Sequence, residues 1–387
     1  MAKPRKSNFS ITLRQVVYAT ALSVAIFLLL FFVRNAGNRL SLRSDMFDYE
    51  HIDPSVLSAA VSAALSTPAL EYAVASDTPQ YVVLSFDGGK SSDMLDETLA
   101  FQKEMAGKNK LLYFTYFINA AYFLSNHKKA LYQAPYHKPG VSNIGFSDSV
   151  PDITRRVRTF NEAVKRGNEV GSHTVGHFVG TSWTYQDWKQ EFNSFFAILF
   201  GVQQNMLPLA VEPWLIAPKQ IKGFRAPTLG VNENMYQVLG DFSFRYDSSG
   251  IGPAGNWPVK DAYGIWRIPL GIIHVGPHKN PVLAMDYNLW VYQSKARNTV
   301  KKGTALWLRY FGEVLKAYRN YFYGNYNGSR APIVIGNHFT KYNDGLYWEA
   351  MKAFAEEVCG KPYVRCTTFS KFVDYLDTKG PPLGRYR

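Results

Sequence analysis

From residue 80 onward, short apolar runs alternate with longer stretches whose apolar positions recur every three or four residues. The runs are "YVVLSFD" (81–87), "LLYFTYFI" (111–118), "NEVGSH" (168–173), "IKGFRAP" (221–227), "FSFRYDSS" (242–249), "GIWRIPL" (264–270) and "PIVIGNHF" (332–339). Each reads as a strand. Between them the pattern predicts helices over 93–106, 152–167, 184–200, the short "NENMYQVLG" (232–240), a long stretch within 289–323, and a final helix over 345–358. Such alternation predicts parallel strands joined by helical crossovers, and therefore an α/β chain whose unit count suits a distorted (β/α) barrel.

Residues 16–33, "VVYATALSVAIFLLLFFV", break this pattern with an unbroken charge-free stretch long enough to cross a bilayer as a helix. Lys3, Arg5, Lys6 and Arg14 precede it, favouring a cytosolic amino terminus, while Arg34, Arg39 and Arg43 on the far side weigh against that orientation. An uncleaved anchor is the expectation; a cleaved secretory signal is the alternative, although no small-x-small cleavage site follows the stretch. The expected organisation is a basic cytosolic segment (1–14), a transmembrane signal anchor (15–34) and a juxtamembrane linker (35–79) that includes "SVLSAAVSAALSTPAL". A folded domain (80–375) and a polar tail (376–387) follow. The protein is thus expected to be a single-pass membrane protein with its folded domain on the outer, periplasmic or extracellular, face.

At 387 residues, with 47% hydrophobic and 15% aromatic residues, the chain can bury a large core. The formal net charge of +13 is spread along the sequence with no nucleic-acid-binding motif, so no nucleic-acid partner is expected. Only Cys359 and Cys366 are present. In an exported domain they are expected to pair, the alternative being two free thiols.

The chemistry lies at the ends of the predicted strands. Asp87, His173, Arg225 and His338 each fall at or just past a carboxyl-terminal strand end, where barrel enzymes assemble their sites. His173 and His177 are four residues apart, so a helix or tight turn puts both imidazoles within reach of one zinc ion. Thr174 occupies the place of the Glu in H-E-x-x-H, which argues against a helix-based zinc protease. Asp87 precedes Gly88 and Gly89, which leave the surroundings open, although an Asp here can also simply cap a helix. Arg225 can orient a carboxylate bidentately or bind an anionic group, and His338, leaving a very apolar strand, can act as a general acid. The alternatives are a surface salt bridge and a core histidine.

Together "SFDGG" (85–89), "HTVGH" (173–177), "FRAP" (224–227) and "GNH" (336–338) resemble, in order and spacing, the motifs of the polysaccharide deacetylases, the NodB homology domain or carbohydrate esterase family four. The resemblance covers about residues 80–375. It implies a distorted (β/α) barrel that removes acetyl groups from N-acetylated sugars with a divalent metal, commonly zinc. It further implies His173 and His177 as metal ligands, Asp87 as catalytic base, Arg225 as the residue orienting that base, and His338 as the acid protonating the leaving amine. The expected substrate is a cell-envelope glycan, peptidoglycan first and chitin-like polymers second.

The resemblance departs at one position. The family's first motif carries two adjacent acids, the second a metal ligand, and here that place is Gly88. Asp87 itself, or Asp93, Asp247 or Asp286, could complete the ligand set, or the site could hold metal weakly. A barrel that binds glycan without efficient catalysis is therefore the second expectation. A glycoside hydrolase would need a second acid facing Asp87, and the sequence identifies none. Trp183, Tyr185, Trp188, Trp257 and Trp266 could stack on sugar rings or simply fill the core.

Overall fold

Strand β2 (Gln80–Gly88) is buried almost along its whole length, as a strand covered on both faces must be. It is the centre of the fold in a computed structural model that describes residues 70–72, 77–205, 211–382 and 384–386. The expected transmembrane anchor at 15–34, the segment before it and most of the linker lie outside the described residues. Among the described residues, no helix is long and apolar enough to cross a membrane.

A first short strand, β1 (Leu70–Tyr72), precedes β2, and α1 (Ser92–Gly107) follows it, capped by the Ser91 side chain accepting from the Met94 amide. Next come β3 (Phe114–Ile118), α2 (Val150–Lys165), β4 (Glu169–Ser172) and α3 (Tyr185–Phe200). Ser149 caps α2, and Thr184 and Asp187 form a capping box on α3. The chain continues through β5 (Gly223–Phe224), α4 (Glu233–Asp241), β6 (Tyr246–Asp247), β7 (Ile251–Pro253), β8 (Val259–Lys260) and β9 (Trp266–Arg267). It then forms β10 (Leu270–Val275), β11 (Asn280–Leu283), α5 (Asp286–Ser294), α6 (Ala305–Tyr326) and β12 (Ile333–His338). The last elements are α7 (Tyr342–Val358), β13 (Val364–Cys366), α8 (Phe369–Lys379) and β14 (Gly384–Tyr386).

The main sheet runs β12-β2-β3-β4-β5-β6-β9-β8, with β13 also pairing with β2. Every pairing is parallel except β8 with β9. The α/β class therefore holds, and the architecture is a curled half-barrel sheet with β12 and β8 at its two ends. Leu270, Met285, Val334, Phe117, Tyr246 and Phe369 belong to one buried cluster against this sheet. A three-stranded sheet, β11-β10-β7, packs beside it and was not anticipated.

Three features differ from the expected elements. The stretch 289–323 is two helices, because Lys295 and Ala296 adopt left-handed φ values of 54° and 56° and end α5 before Thr304 caps α6. The chain does not finish at 345–358: Cys359 and Cys366 form a disulfide, and Thr368 then caps α8. Finally β1, within the segment read as linker, pairs antiparallel with β14, within the segment read as tail.

Candidate active site

The register of β12 against β2 sets His338 directly opposite Asp87, so the last residue of one strand and the penultimate residue of the other meet at the same sheet end. His173 follows β4 immediately, and Arg225 follows β5 immediately. Asp87, His173, His177, Arg225 and His338 are all buried or nearly so. The structure thus gathers Asp87, His173, Arg225 and His338 at the carboxyl-terminal strand ends expected for them, with His177 beside His173.

Arg225 is fully buried, which a guanidinium tolerates only with its donors occupied. Its Nη1 donates to Asp87 Oδ1 at 2.8 Å and to Ser85 Oγ at 2.9 Å. Its Nε donates to the Ser248 carbonyl at 3.1 Å and Nη2 to Ser248 Oγ at 3.0 Å. The guanidinium carbon lies 4.5 Å from the centroid of the Phe117 ring, a cation–π contact that closes the apolar floor beneath the pair. Asp87 Oδ1 is therefore fixed, while Oδ2 is buried without a hydrogen-bond partner among the described residues.

The "HTVGH" segment is a tight turn rather than a helix. Thr174 and His177 take left-handed φ values of 63° and 60°, and the two imidazole centroids end 5.0 Å apart. His173 Nδ1 donates to the Arg225 carbonyl at 2.6 Å; since a carbonyl only accepts, the ring carries a proton on Nδ1. The turn is pinned from three sides. Ala120 N donates to the Thr174 carbonyl, Asn143 Nδ2 donates to the His177 carbonyl, and Val175 N donates to Glu191 Oε1 at 2.8 Å. Glu191 also accepts from Tyr132 Oη, and burial pushes its carboxyl up to about 7. Gly176 is required here, because a Cβ would lie 2.7 Å from the Tyr132 ring.

The three carboxylates considered as replacements for a ligand at Gly88 are engaged elsewhere. Asp93 is exposed on α1 and pairs with Arg155 at 2.6 Å. Asp247 accepts from the Ser249 amide and hydroxyl and from Tyr236, and burial raises it to about 6. Asp286, the first residue of α5, accepts from the His338 amide at 2.9 Å and lies 2.5 Å from His338 Nδ1. It is a partner of the histidine, orienting its ring and offsetting the positive charge that ring carries when doubly protonated.

Sequence reasoning did not single out Ser85, Ser248, Asn119 or Glu191. Ser85 had a signal: two residues before Asp87 on a strand, it shares that residue's face. Ser248 and Glu191 had none, because their partners are far away in sequence. Trp183, Trp188, Trp257 and Trp266 are buried, with Trp188 donating to Asn232 and Trp266 to Asp377, and Tyr185 bonds Asp241 on the outer side of α3. The four tryptophans thus fill the body of the protein, while Tyr185 is half-buried. The Tyr287 and Tyr342 rings each have their centroid 6.4 Å from that of His338.

Among the described residues, no group of three or more His, Cys, Asp and Glu side chains is placed to hold a metal ion. Two imidazoles are nevertheless adjacent, and two buried oxygens at the same strand ends, Asp87 Oδ2 and Asn119 Oδ1, have no hydrogen-bond partner among those residues. Unsatisfied buried acceptors beside paired imidazoles fit a divalent cation with nitrogen and oxygen donors.

No family model matches the sequence, and no curated protein matches it. A solved structure from Mycobacterium smegmatis, assigned as a polysaccharide deacetylase, superposes with a TM-score of 0.50 at 15% identity, covering 83% of this chain and 99% of that one. The fold is that of a polysaccharide deacetylase. Two further structures match more loosely. The family four esterase domain of a xylanase from a Trinervitermes trinervoides hindgut metagenome has 13% identity and a TM-score of 0.41, with 79% of this chain and 95% of that one covered. A family four pseudoenzyme from Bacillus anthracis has 9% identity and a TM-score of 0.39, with 76% and 66% covered.

Proposed function

We propose that this protein is a metal-dependent hydrolase that removes N-acetyl groups from a cell-envelope polysaccharide. The observation that carries the reading is the convergence of Asp87, Arg225, His173 and His338 on one sheet end, with the Asp87–Arg225 pair and the Asp286–His338 pair already formed. His173 and His177 would hold a divalent ion, zinc being the common choice for such a donor set, and the ion would supply Lewis-acid polarisation and an acidified water.

The chain's own residues then divide the proton work. Arg225 locks Asp87 Oδ1, leaving Oδ2 to take a proton from the attacking water. His338, held at Nδ1 by Asp286, presents Nε2 to give a proton to the departing amine. Amide hydrolysis needs both transfers, one at each end of the scissile bond, and the paired register of β2 and β12 puts the two groups side by side.

Peptidoglycan or a chitin-like polymer is the substrate class, reached from the outer face of the membrane to which the apolar stretch at 16–33 would anchor the chain. Acetate release from peptidoglycan and from N-acetylglucosamine oligomers tests this. Asp87→Asn should keep the fold and lower turnover by roughly 10²–10⁴-fold. His173→Ala should lose bound metal and acetate release together. Full activity in either variant would remove the mechanism.

One observation favours a second reading, a glycan-binding protein of weak or no activity. Position 88 is a glycine with a φ of +103°, so no side chain there can ligate a cation, and acid side chains fit that backbone poorly. Under this reading N-acetylated oligomers bind without acetate release, with or without added zinc.

A further inference from the structure

Asn119 stands where β3 ends, between the strand that carries Gly88 and the strand that leads into His173. Its backbone amide donates to the Gly88 carbonyl at 3.0 Å, and its side-chain Nδ2 donates to the His173 carbonyl. That second bond fixes which way the amide faces, because only the nitrogen end can donate to a carbonyl. Oδ1 therefore points away from the His173 carbonyl, and it is fully buried with no hydrogen-bond partner among the described residues. An orphaned acceptor at that depth costs roughly 1–3 kcal/mol unless a ligand or water satisfies it.

The position of this oxygen relates it to the missing side chain. A Cβ placed on Gly88 would meet one atom within 4 Å, Asn119 Oδ1 at 4.0 Å, and otherwise open space. The amide oxygen thus borders the space that a side chain at 88 would enter. We infer that Asn119 Oδ1 is the oxygen donor that takes the place of the carboxylate absent at Gly88, completing a His173–His177–Asn119 set for a divalent cation. The inference rests on the metal reading of the two histidines. A neutral amide oxygen is a hard donor but carries no charge, so this site should hold its ion less tightly than a set with a carboxylate.

The full chain, stripped with a chelator and titrated with zinc against a fluorescent chelator, tests both layers. Wild type should bind about one ion, and His177→Ala should lose it. Asn119→Ala should weaken binding by at least about tenfold. Asn119→Asp keeps the oxygen, adds charge and loses the donor to the His173 carbonyl, so it should bind at least as tightly as wild type. An Asp variant as weak as the Ala variant, or an Ala variant as tight as wild type, would overturn the role of Asn119 and leave the histidines standing. No zinc binding by wild type would overturn the metal reading itself. Should the Asn119 variants fail to fold, a zinc-soaked crystal of the wild type decides by whether Oδ1 lies within about 2.0–2.4 Å of the ion.

Discussion

Replacing Arg225 by methionine removes the charge that stands against Asp87 while keeping much of the buried volume. The guanidinium is fully buried, with donors to Asp87, Ser85 and Ser248, and it lies over the Phe117 ring. Breaking one partner of a buried ion pair strands the other, at a cost of about 3–5 kcal/mol. Methionine limits the additional cavity cost. For a domain of this size that corresponds to a melting temperature lower by roughly 6–15 °C. Asp87→Asn strands the guanidinium in the same way. The double variant, Asp87→Asn with Arg225→Met, removes both charges and should fall short of the summed single losses by about 2–3 kcal/mol. Thermal unfolding of the four proteins at one pH, followed by circular dichroism, completes the cycle. A single Arg225→Met variant that melts within about 2 °C of wild type, or a double variant whose loss equals the sum, would refute the buried pair as the organiser of this end of the sheet.

Reduction of the Cys359–Cys366 bridge, which closes a loop with a sequence separation of 7, should cost about 2.5 kcal/mol through freedom regained by the unfolded chain. A melting temperature unmoved by a phosphine reductant would count against the bridge. Glu191 offers a pH signature, because burial raises its carboxyl in the folded protein from 4.5 to about 7. Between those values the folded state holds a proton the unfolded chain has released, so stability is full below about pH 4.5, declines towards pH 7 by about 3 kcal/mol, and is flat above. Glu191→Gln keeps an oxygen for the Val175 amide and should flatten that decline, whereas an unchanged pH slope would show that Glu191 does not cause it.

Much of the architecture was legible because its signals are local. Mostly apolar runs such as 81–87 and 332–339 became buried parallel strands, and Ser, Thr or Asn caps began the helices close to where the period suggested. The missed features depend on partners distant in the chain. Nothing local in 289–323 announces the left-handed residues that divide it, and the side sheet takes β7 and β11 from pieces of only three and four residues, too short for a period to show.

The site followed the same rule. Asp87, His173, Arg225 and His338 were found by their places after strands, which sequence shows. The jobs of Asp286, Ser248 and Glu191 were not, because each depends on a neighbour brought in by folding: His338 lies 52 residues from Asp286, Arg225 lies 23 from Ser248, and Val175 lies 16 from Glu191. Asp286 illustrates the limit well. As an acid among aromatic residues it could have been a ligand or a core group, and only its contacts with the His338 amide and Nδ1 separate those possibilities.

The most direct test of the account is acetate release by the purified full chain from N-acetylglucosamine oligomers and peptidoglycan, measured after chelation and again after zinc is restored. The account predicts acetate from at least one glycan, lost on chelation and recovered with about one zinc per chain. Glycan binding without acetate under either condition would contradict it and leave the same strand ends as a sugar-binding site.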